Sequence, residues 1–214
     1  MSQLVVNEIF HSIQGESSHA GRPCVFVRLT QCNLRCSYCD TEYAFHEGTS
    51  IGIAEIMQKV RSYGCRLVEI TGGEPLMQNG VHELMKLLGD EAFEVLLETG
   101  GSLDISLVDS RVKRIMDLKT PGSRMAKKNL WTNIDHLRPG DEVKFVIGGQ
   151  EDFDWSVETI KKYHLTDRCP VLMSVVFGVL EPVTLAQWIL ESNLNVRFQL
   201  QTHKYIWEPE VRGV

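Results

Sequence analysis

Two kinds of apolar pattern alternate along the chain: short continuous runs of aliphatic and β-branched residues, and longer stretches where apolar residues recur every three or four positions. Residues 24–29 (CVFVRL) are the first such run and predict a strand. Ile53, Ile56, Met57 and Val60 fall at i, i+3, i+4 and i+7, one face of a helix that Gly64 can terminate. A strand follows over 66–71 (RLVEIT), then the loop Gly72-Gly73-Glu74-Pro75, then a helix carrying Val81, Leu84, Met85 and Leu88 at the same spacing. Further strands are predicted over 93–98, 112–118, 142–147, 170–177 and 196–200, with helices filling most gaps, most clearly over 151–164 and 181–192. Glu181 and Pro182 suit the start of the last helix, which should bury Val183, Ala186, Ile189 and Leu190 on one stripe. Residues 120–130 (TPGSRMAKKNL) read as a mobile basic loop.

Strands alternating with helices imply an α/β fold with a mainly parallel sheet, whose strands bring their C-terminal ends and loops to one edge. The segment after the first strand and the Gly72-Gly73 loop should therefore be neighbours. Six or seven βα units in 214 residues fall short of an eightfold barrel of roughly 250 residues, so an incomplete, partly open (β/α) barrel with a side entrance is expected. No internal repeat, low-complexity tract or Pro-rich linker divides the chain, and residues 1–214 are read as one domain.

The balance of 22 Lys+Arg against 28 Asp+Glu gives a net charge of −6. That argues against a nucleic-acid partner and favours a small molecule, with basic residues acting locally in a pocket. No apolar run approaches the roughly 20 residues that cross a bilayer, and the first residues lack the blocks of a signal peptide. A cytoplasmic protein without a membrane partner is the expectation.

Six cysteines are present, and Cys32, Cys36 and Cys39 form C-x3-C-x2-C on a segment with loop chemistry. Random placement gives this spacing roughly once in 400 sequences, so the cluster needs a cause. Structural zinc takes four protein ligands, yet Cys24 lies eight residues upstream and His46 seven downstream, neither at a zinc-ribbon spacing. A 4Fe–4S cluster takes one ligand per iron, so three cysteines leave one iron open to a small molecule. Cys24, Cys65 and Cys169 read as packed thiols, and His19 and His46 as surface residues.

With Tyr38 just before its last cysteine, the triplet resembles the signature of the radical S-adenosylmethionine (SAM) superfamily, and Thr71-Gly72-Gly73-Glu74-Pro75 resembles that superfamily's second mark. Here Gly72 and Gly73 would let the backbone approach a bound methionine moiety without a Cβ. Within the superfamily the chain is similar, over nearly its whole length, to the 7-carboxy-7-deazaguanine synthase family. The supporting stretches are residues 10–16 (FHSIQGE), like the family's opening substrate loop, Arg28, Asp40-Thr41 and residues 201–205 (QTHKY).

The resemblance implies conversion of 6-carboxy-5,6,7,8-tetrahydropterin to 7-carboxy-7-deazaguanine with loss of ammonia. The implied cofactors are a 4Fe–4S cluster on Cys32, Cys36 and Cys39, SAM, and Mg²⁺ with Thr41 as its only protein side-chain ligand. It further implies substrate contacts at Ile13, Gln14, Gly15, Arg28, Thr71, His203 and Val214, and SAM contacts at Gly73, Asp117, Leu118, Lys119 and Ser174. A homodimer and an electron donor such as flavodoxin belong to the same expectation. Two places depart from the family pattern: Asp117-Leu118-Lys119 stands where some relatives have Ser-Pro-Lys, and a usual Gln-Pro pair is absent near Ser174-Val175-Val176.

Each residue also has a plainer reading. Gln14 suits a polar loop after a strand, and Thr41 a cap on the loop after Asp40. Arg28 could meet a structural carboxylate, Asp117 could pair with Lys119 or Arg114, and His203 and Lys204 could be a solvated tail. A glycyl-radical enzyme activase and a non-enzymatic zinc-binding module are the alternative readings of the whole chain.

Overall fold

Val81, Leu84, Met85 and Leu88 are fully buried along one face of helix α2 (Val81–Asp90), and Ile53, Ile56, Met57 and Val60 do the same on α1 (Ile53–Ser62). Both helices lie where the apolar spacing places them. In the computed structural model, which describes residues 2–214, they pack on a sheet built from β1 (Gln3–Ile13), β2 (Pro23–Leu29), β3 (Thr49–Gly52), β4 (Leu67–Gly72), β5 (Glu94–Thr99), β6 (Lys113–Asp117), β7 (Glu142–Ile147), β8 (Val171–Val175) and β9 (Arg197–Gln199). Helices α3 (Gln150–Tyr163), α4 (Pro182–Ser192) and the short α5 (His203–Ile206) complete the chain.

All nine strands share one sheet in the order β3-β1-β2-β4-β5-β6-β7-β8-β9. β1 is antiparallel to β2 and β3, and from β2 through β4 to β9 every pairing is parallel. Its outermost strands, β3 and β9, are not paired with each other, so the barrel is incomplete and open, as expected. Strands β1 and β3 add an antiparallel edge that the strand pattern left out.

Three local expectations are corrected. Helix α4 buries Leu185 and Ile189, whereas Val183 and Leu190 are 73% and 79% exposed and Ala186 is half-buried. It is turned so that Trp188 meets Phe153 of α3 at a ring distance of 5.5 Å, and the end of the sheet offers nothing to cover the other stripe. Residues 120–130 are pinned rather than mobile. They form 3-10 turns at Pro121–Ser123 and Ala126–Lys128, Asn129 exchanges two hydrogen bonds with the Lys119 backbone, and the Gly122 amide donates to Asp152 Oδ1 at 2.6 Å. His19 is buried against Arg22, whose Nη1 lies 2.6 Å from its Nδ1, while His46 is exposed as expected. The β5–β6 and β6–β7 crossovers are also built from turns, with Ile105, Val108 and Ile134 filling the core in place of a helix.

Inside the curve of the sheet, Phe10, Cys24, Phe26, Leu67, Leu96 and Ile115 form a separate apolar cluster, with Phe10 and Phe26 stacked at 4.9 Å. Strand alternation carries the inward face on from this floor to polar residues: Thr71 two positions beyond Glu69 on β4, and Glu98 two beyond Leu96 on β5. The floor is apolar, and the chemistry sits above it.

Candidate active site

A cavity of about 380 Å³ opens at the C-terminal ends of the parallel strands. The structure brings Ile13, Gln14, Gly15, Arg28, Cys32, Cys36, Cys39, Thr41, Thr71, Gly73, Asp117, Lys119, His203 and Val214 onto its lining. Leu118 and Ser174 stay off it. Leu118 is fully buried in the outer core, on the face opposite Asp117, and Ser174 is buried on β8 in register between Val146 and Gln199.

The cysteine loop leaves β2 through Gln31, which takes a left-handed φ of 73°. The Gln31 carbonyl accepts from the Glu74 amide at 2.7 Å, so the cysteine loop and the Gly72-Gly73 loop touch directly, as the parallel topology requires. The two glycines serve this contact. A Cβ on Gly72 would lie 2.1 Å from the Leu29 carbonyl oxygen, and one on Gly73 would lie 2.0 Å from that of Gln31. Their freedom from a side chain permits this close approach within the chain, and both still line the cavity. Glu74, fully buried, fastens the assembly by accepting from the Leu76 amide (3.1 Å), Thr99 Oγ1 (2.9 Å) and the Gly100 amide (2.8 Å).

Cys32, Cys36 and Cys39 are free and half-buried on the cavity wall. Burial pushes all three thiols up, while the nearby Lys119 ammonium works the other way on Cys32 and Cys36. Among the described residues no three His, Cys, Asp or Glu side chains close around one point as ligands of a single ion. Three soft, separated thiols on one wall fit a cluster in which each cysteine serves its own iron, and they do not make a tetrahedral zinc set. Beside them Asp117 pairs with Lys119 (Oδ2 to Nζ 2.7 Å) rather than with Arg114, which pairs with Asp141. Its other oxygen, Oδ1, is buried without a partner, an acceptor suited to ligand hydroxyls. Thr41 lies at the start of the 3-10 turn Glu42–Phe45 but makes no capping bond there, and its Oγ1 donates to Asp40 Oδ1 at 2.9 Å. That pair of oxygens on the cavity wall fits a hard cation.

In register with Asp117, Lys144 of β7 is buried between Glu16, 2.6 Å away, and Glu98. Burial works to lower its pKa, but the two carboxylates hold it well above the usual lysine value. Glu16, which also accepts from Gln201 Nε2 at 2.8 Å, is held low against its burial by the same lysine. Glu69 goes the other way: burial, then Glu98 and Glu16 nearby, push its carboxyl well above the carboxylate range, and Gln14 Nε2 donates to it. Thr71 Oγ1 donates to Glu98 Oε2 at 3.2 Å. Sequence reasoning missed Glu69, Glu98 and Lys144. Their signal was a charge in the interior of each mainly apolar strand, LVEITG, EVLLET and EVKFVI, the last two also beginning with a glutamate.

Arg28 meets a structural carboxylate, Nε donating to Glu8 Oε1 at 2.7 Å, and it still lines the cavity. The C-terminal segment closes over this side. Thr202 donates from its amide and Oγ1 to the Gly15 carbonyl, and His203 sits so tightly on Gly15 that a Cβ there would lie 2.2 Å from Nδ1. Lys204 pairs with Asp40 at 2.6 Å, and the Arg212 guanidinium stacks 3.6 Å from the Tyr43 ring centroid. Residues 209–214 then complete the lining.

The Radical SAM superfamily matches residues 27–180, which span the cysteine loop, the Gly72-Gly73 loop and β4 to β8. The chain is 46% identical to the 7-carboxy-7-deazaguanine synthase of Chlorobaculum tepidum, over 99% of this chain and 97% of that protein. It is 40% identical to that of Koribacter versatilis, over 99% and 100%. The crystal structure of QueE from Escherichia coli superposes with a TM-score of 0.77 at 20% identity, covering 92% of this chain and 94% of that one, a likeness of fold. The chain belongs to the radical SAM superfamily and, within it, to the 7-carboxy-7-deazaguanine synthase family.

Proposed function

We propose that this chain is a radical SAM carbon–nitrogen lyase that converts 6-carboxy-5,6,7,8-tetrahydropterin to 7-carboxy-7-deazaguanine with loss of ammonia, in 7-deazapurine (queuosine precursor) biosynthesis. The observation that carries this reading is the meeting, on one cavity, of three free cysteines with a buried lysine–carboxylate cluster.

Cys32, Cys36 and Cys39 hold the cluster, and Lys119 favours the thiolate form of Cys36. A bound 4Fe–4S cluster would supply the electron for reductive cleavage of SAM and so the means of abstracting hydrogen from the pterin. The backbone at Gly73, the unpaired Asp117 Oδ1 and Lys119 receive SAM, with Leu118 and Ser174 buried in the strands behind them. Gln14, Arg28, Thr71 and His203 orient the pterin and its carboxylate. Burial holds His203 below the ordinary imidazole value. Ile13, Gly15 and Val214 close the space around the pterin and keep water out, and Thr41 Oγ1 offers its oxygen to Mg²⁺.

The whole chain acts as one radical SAM domain in the cytoplasm, as a homodimer reduced by a protein carrier such as flavodoxin. Among the described residues no helix is long and apolar enough to cross a membrane. The uncovered Val183 and Leu190 stripe beside edge strand β9 supports the dimer. The tail across the cavity speaks against the activase alternative, which needs room for a protein loop. The test is anaerobic incubation of the reconstituted protein with SAM, reductant and the carboxypterin, with products read by mass. Formation of 7-carboxy-7-deazaguanine is expected, and SAM cleavage with the carboxypterin returned unchanged would overturn the substrate.

A further inference from the structure

Strand β1 changes which of its faces meets the outer core. Leu4 and Val6 are buried in that core with residues of α1 and α2, whereas Phe10 lies inside the curve of the sheet, stacked on Phe26. A regular strand would point all three to one side. The switch is a bulge: Val6 pairs with Leu29 and Glu8 with Arg28, which leaves Asn7 as one extra residue on β1. Without it Glu8 would stand opposite Val27, whose side chain belongs to the outer core. With it, Glu8 faces Arg28 on the inner side, and Arg28 Nε donates to Glu8 Oε1 at 2.7 Å.

Both the bulge and Glu8 are fastened from outside the strand. Asn7 Nδ2 donates to the Glu47 carbonyl at 2.7 Å, and the Tyr43 hydroxyl donates to Glu8 Oε1 at 3.2 Å. The Glu47 side chain pairs at 2.9 Å with Arg212, the same tail residue whose guanidinium covers the Tyr43 ring. A carboxylate that served only to neutralise an arginine would be gripped at two points, by parallel hydrogen bonds. Glu8 takes Nε alone. Among the described residues Nη1 and Nη2 of Arg28 donate to nothing, although Arg28 is half-buried, with the Phe10 and Tyr43 ring centroids 5.7 and 5.9 Å from its Cζ. Arg28 lines the cavity and Glu8 does not. What Glu8 leaves over is the pair of Nη groups, an edge that can hold a second carboxylate by two parallel N–H···O bonds.

We propose that Glu8 is the positioning residue for recognition of the substrate carboxylate: by holding Nε of Arg28 it turns both Nη groups into the cavity, and so selects a carboxylated pterin over an uncharged one. The inference rests on the reading of the cavity above. Glu8 touches no ligand itself and acts through Arg28. Tyr43 and the bulge at Asn7 keep it in place, so the selectivity is built into the edge of the sheet behind the cavity wall.

The test measures binding to the reconstituted holoenzyme with SAM and without reductant, so that nothing turns over. Anaerobic calorimetry compares 6-carboxy-5,6,7,8-tetrahydropterin with 6-methyl-5,6,7,8-tetrahydropterin, which lacks the carboxylate. Glu8→Ala should weaken the carboxypterin by about ten- to thirtyfold, the loss of one charge-assisted hydrogen bond, and leave the methylpterin and SAM affinities and the cluster spectrum unchanged. Glu8→Gln keeps an oxygen within reach of Nε and should restore carboxypterin affinity to within about threefold. Equal weakening of both pterins would overturn the proposal, as would a Glu8→Gln variant no better than Glu8→Ala. A tighter carboxypterin complex in Glu8→Ala would also overturn it, as the mark of a carboxylate that merely competes for the arginine. If Glu8→Ala folds poorly, Tyr43→Phe decides: it removes only the hydroxyl that holds Glu8, and the same selectivity at about two- to fivefold is expected, with no loss or equal loss counting against the proposal. Arg28→Ala separates the two readings. If it weakens both pterins alike, the assignment of Arg28 to the carboxylate falls and the proposal with it; if it weakens the carboxypterin alone while Glu8→Ala changes nothing, only the proposal falls.

Discussion

Lys204 Nζ lies 2.6 Å from Asp40 Oδ2, and Asp40 is the residue after Cys39. This ion pair ties the C-terminal helix to the end of the cysteine loop, so the part of the chain that closes over the pterin side is anchored beside the cluster. Burial works to raise the Asp40 carboxyl, but Lys204 and Thr41 bring it to about 2, so the tie persists through the whole physiological range. Asp40→Asn should therefore raise KM for the carboxypterin by about two- to fivefold, the effect of losing one partly screened pair. Cluster absorbance should be unchanged. Steady-state kinetics beside a visible spectrum check both halves.

Cys36→Ala should abolish cluster-derived visible absorbance and SAM cleavage together, because a wall of three thiols has no spare ligand. Since burial pushes the three thiols up and cluster assembly needs thiolates, reconstitution of the wild type should speed up as pH rises above neutrality. The rate of absorbance growth at a series of pH values measures this.

Gly15→Ala should separate the two halves of the reaction. The new Cβ would press on the His203 ring and lie 3.1 Å from its backbone nitrogen, pushing α5 away while leaving the cysteine loop untouched. SAM cleavage should continue, and 7-carboxy-7-deazaguanine formation should fall by about tenfold or more, as expected of a misplaced substrate. The ratio of 5′-deoxyadenosine to product is the measurement.

Glu69 and Lys144 should respond oppositely to neutral substitution. Burial, with Glu98 and Glu16 close by, raises the Glu69 carboxyl well above the ordinary glutamate range, so its contribution to stability is present in acid and lost as pH rises through the folded value. Glu69→Gln should be tolerated, and its melting temperature relative to the wild type should improve as pH rises. Lys144→Met strips Glu16 and Glu98 of their buried counter-ion and should destabilise by about 3–5 kcal/mol. Thermal denaturation across pH distinguishes the two.

The helix faces of α1 and α2, the run of short strands, the loop contact between Gln31 and Glu74, and the cysteine triplet were all legible along the chain, because each depends on neighbours a few residues apart or on the parallel topology they imply. Resemblance added the substrate-side and SAM-side residues, and all of them but Leu118 and Ser174 lie on the cavity. Where the pattern failed, distant partners made the choice. Trp188 turned α4 toward Phe153, leaving Val183 and Leu190 in solvent, and Asp152 and Asn129 pinned a segment whose composition reads as mobile.

By itself, then, the sequence determined the main helices, the parallel strands and which residue types can hold an open-cornered iron–sulfur centre, since periodicity and spacing are local properties. Only the tertiary structure decided why Gly72 and Gly73 must be glycine, which carboxylates surround Lys144, and how the tail seats on Gly15. Lys144 and Glu16 stand 128 positions apart, and no local pattern encodes a charge pair whose partners meet only when the sheet curves and the chain's end folds back across it.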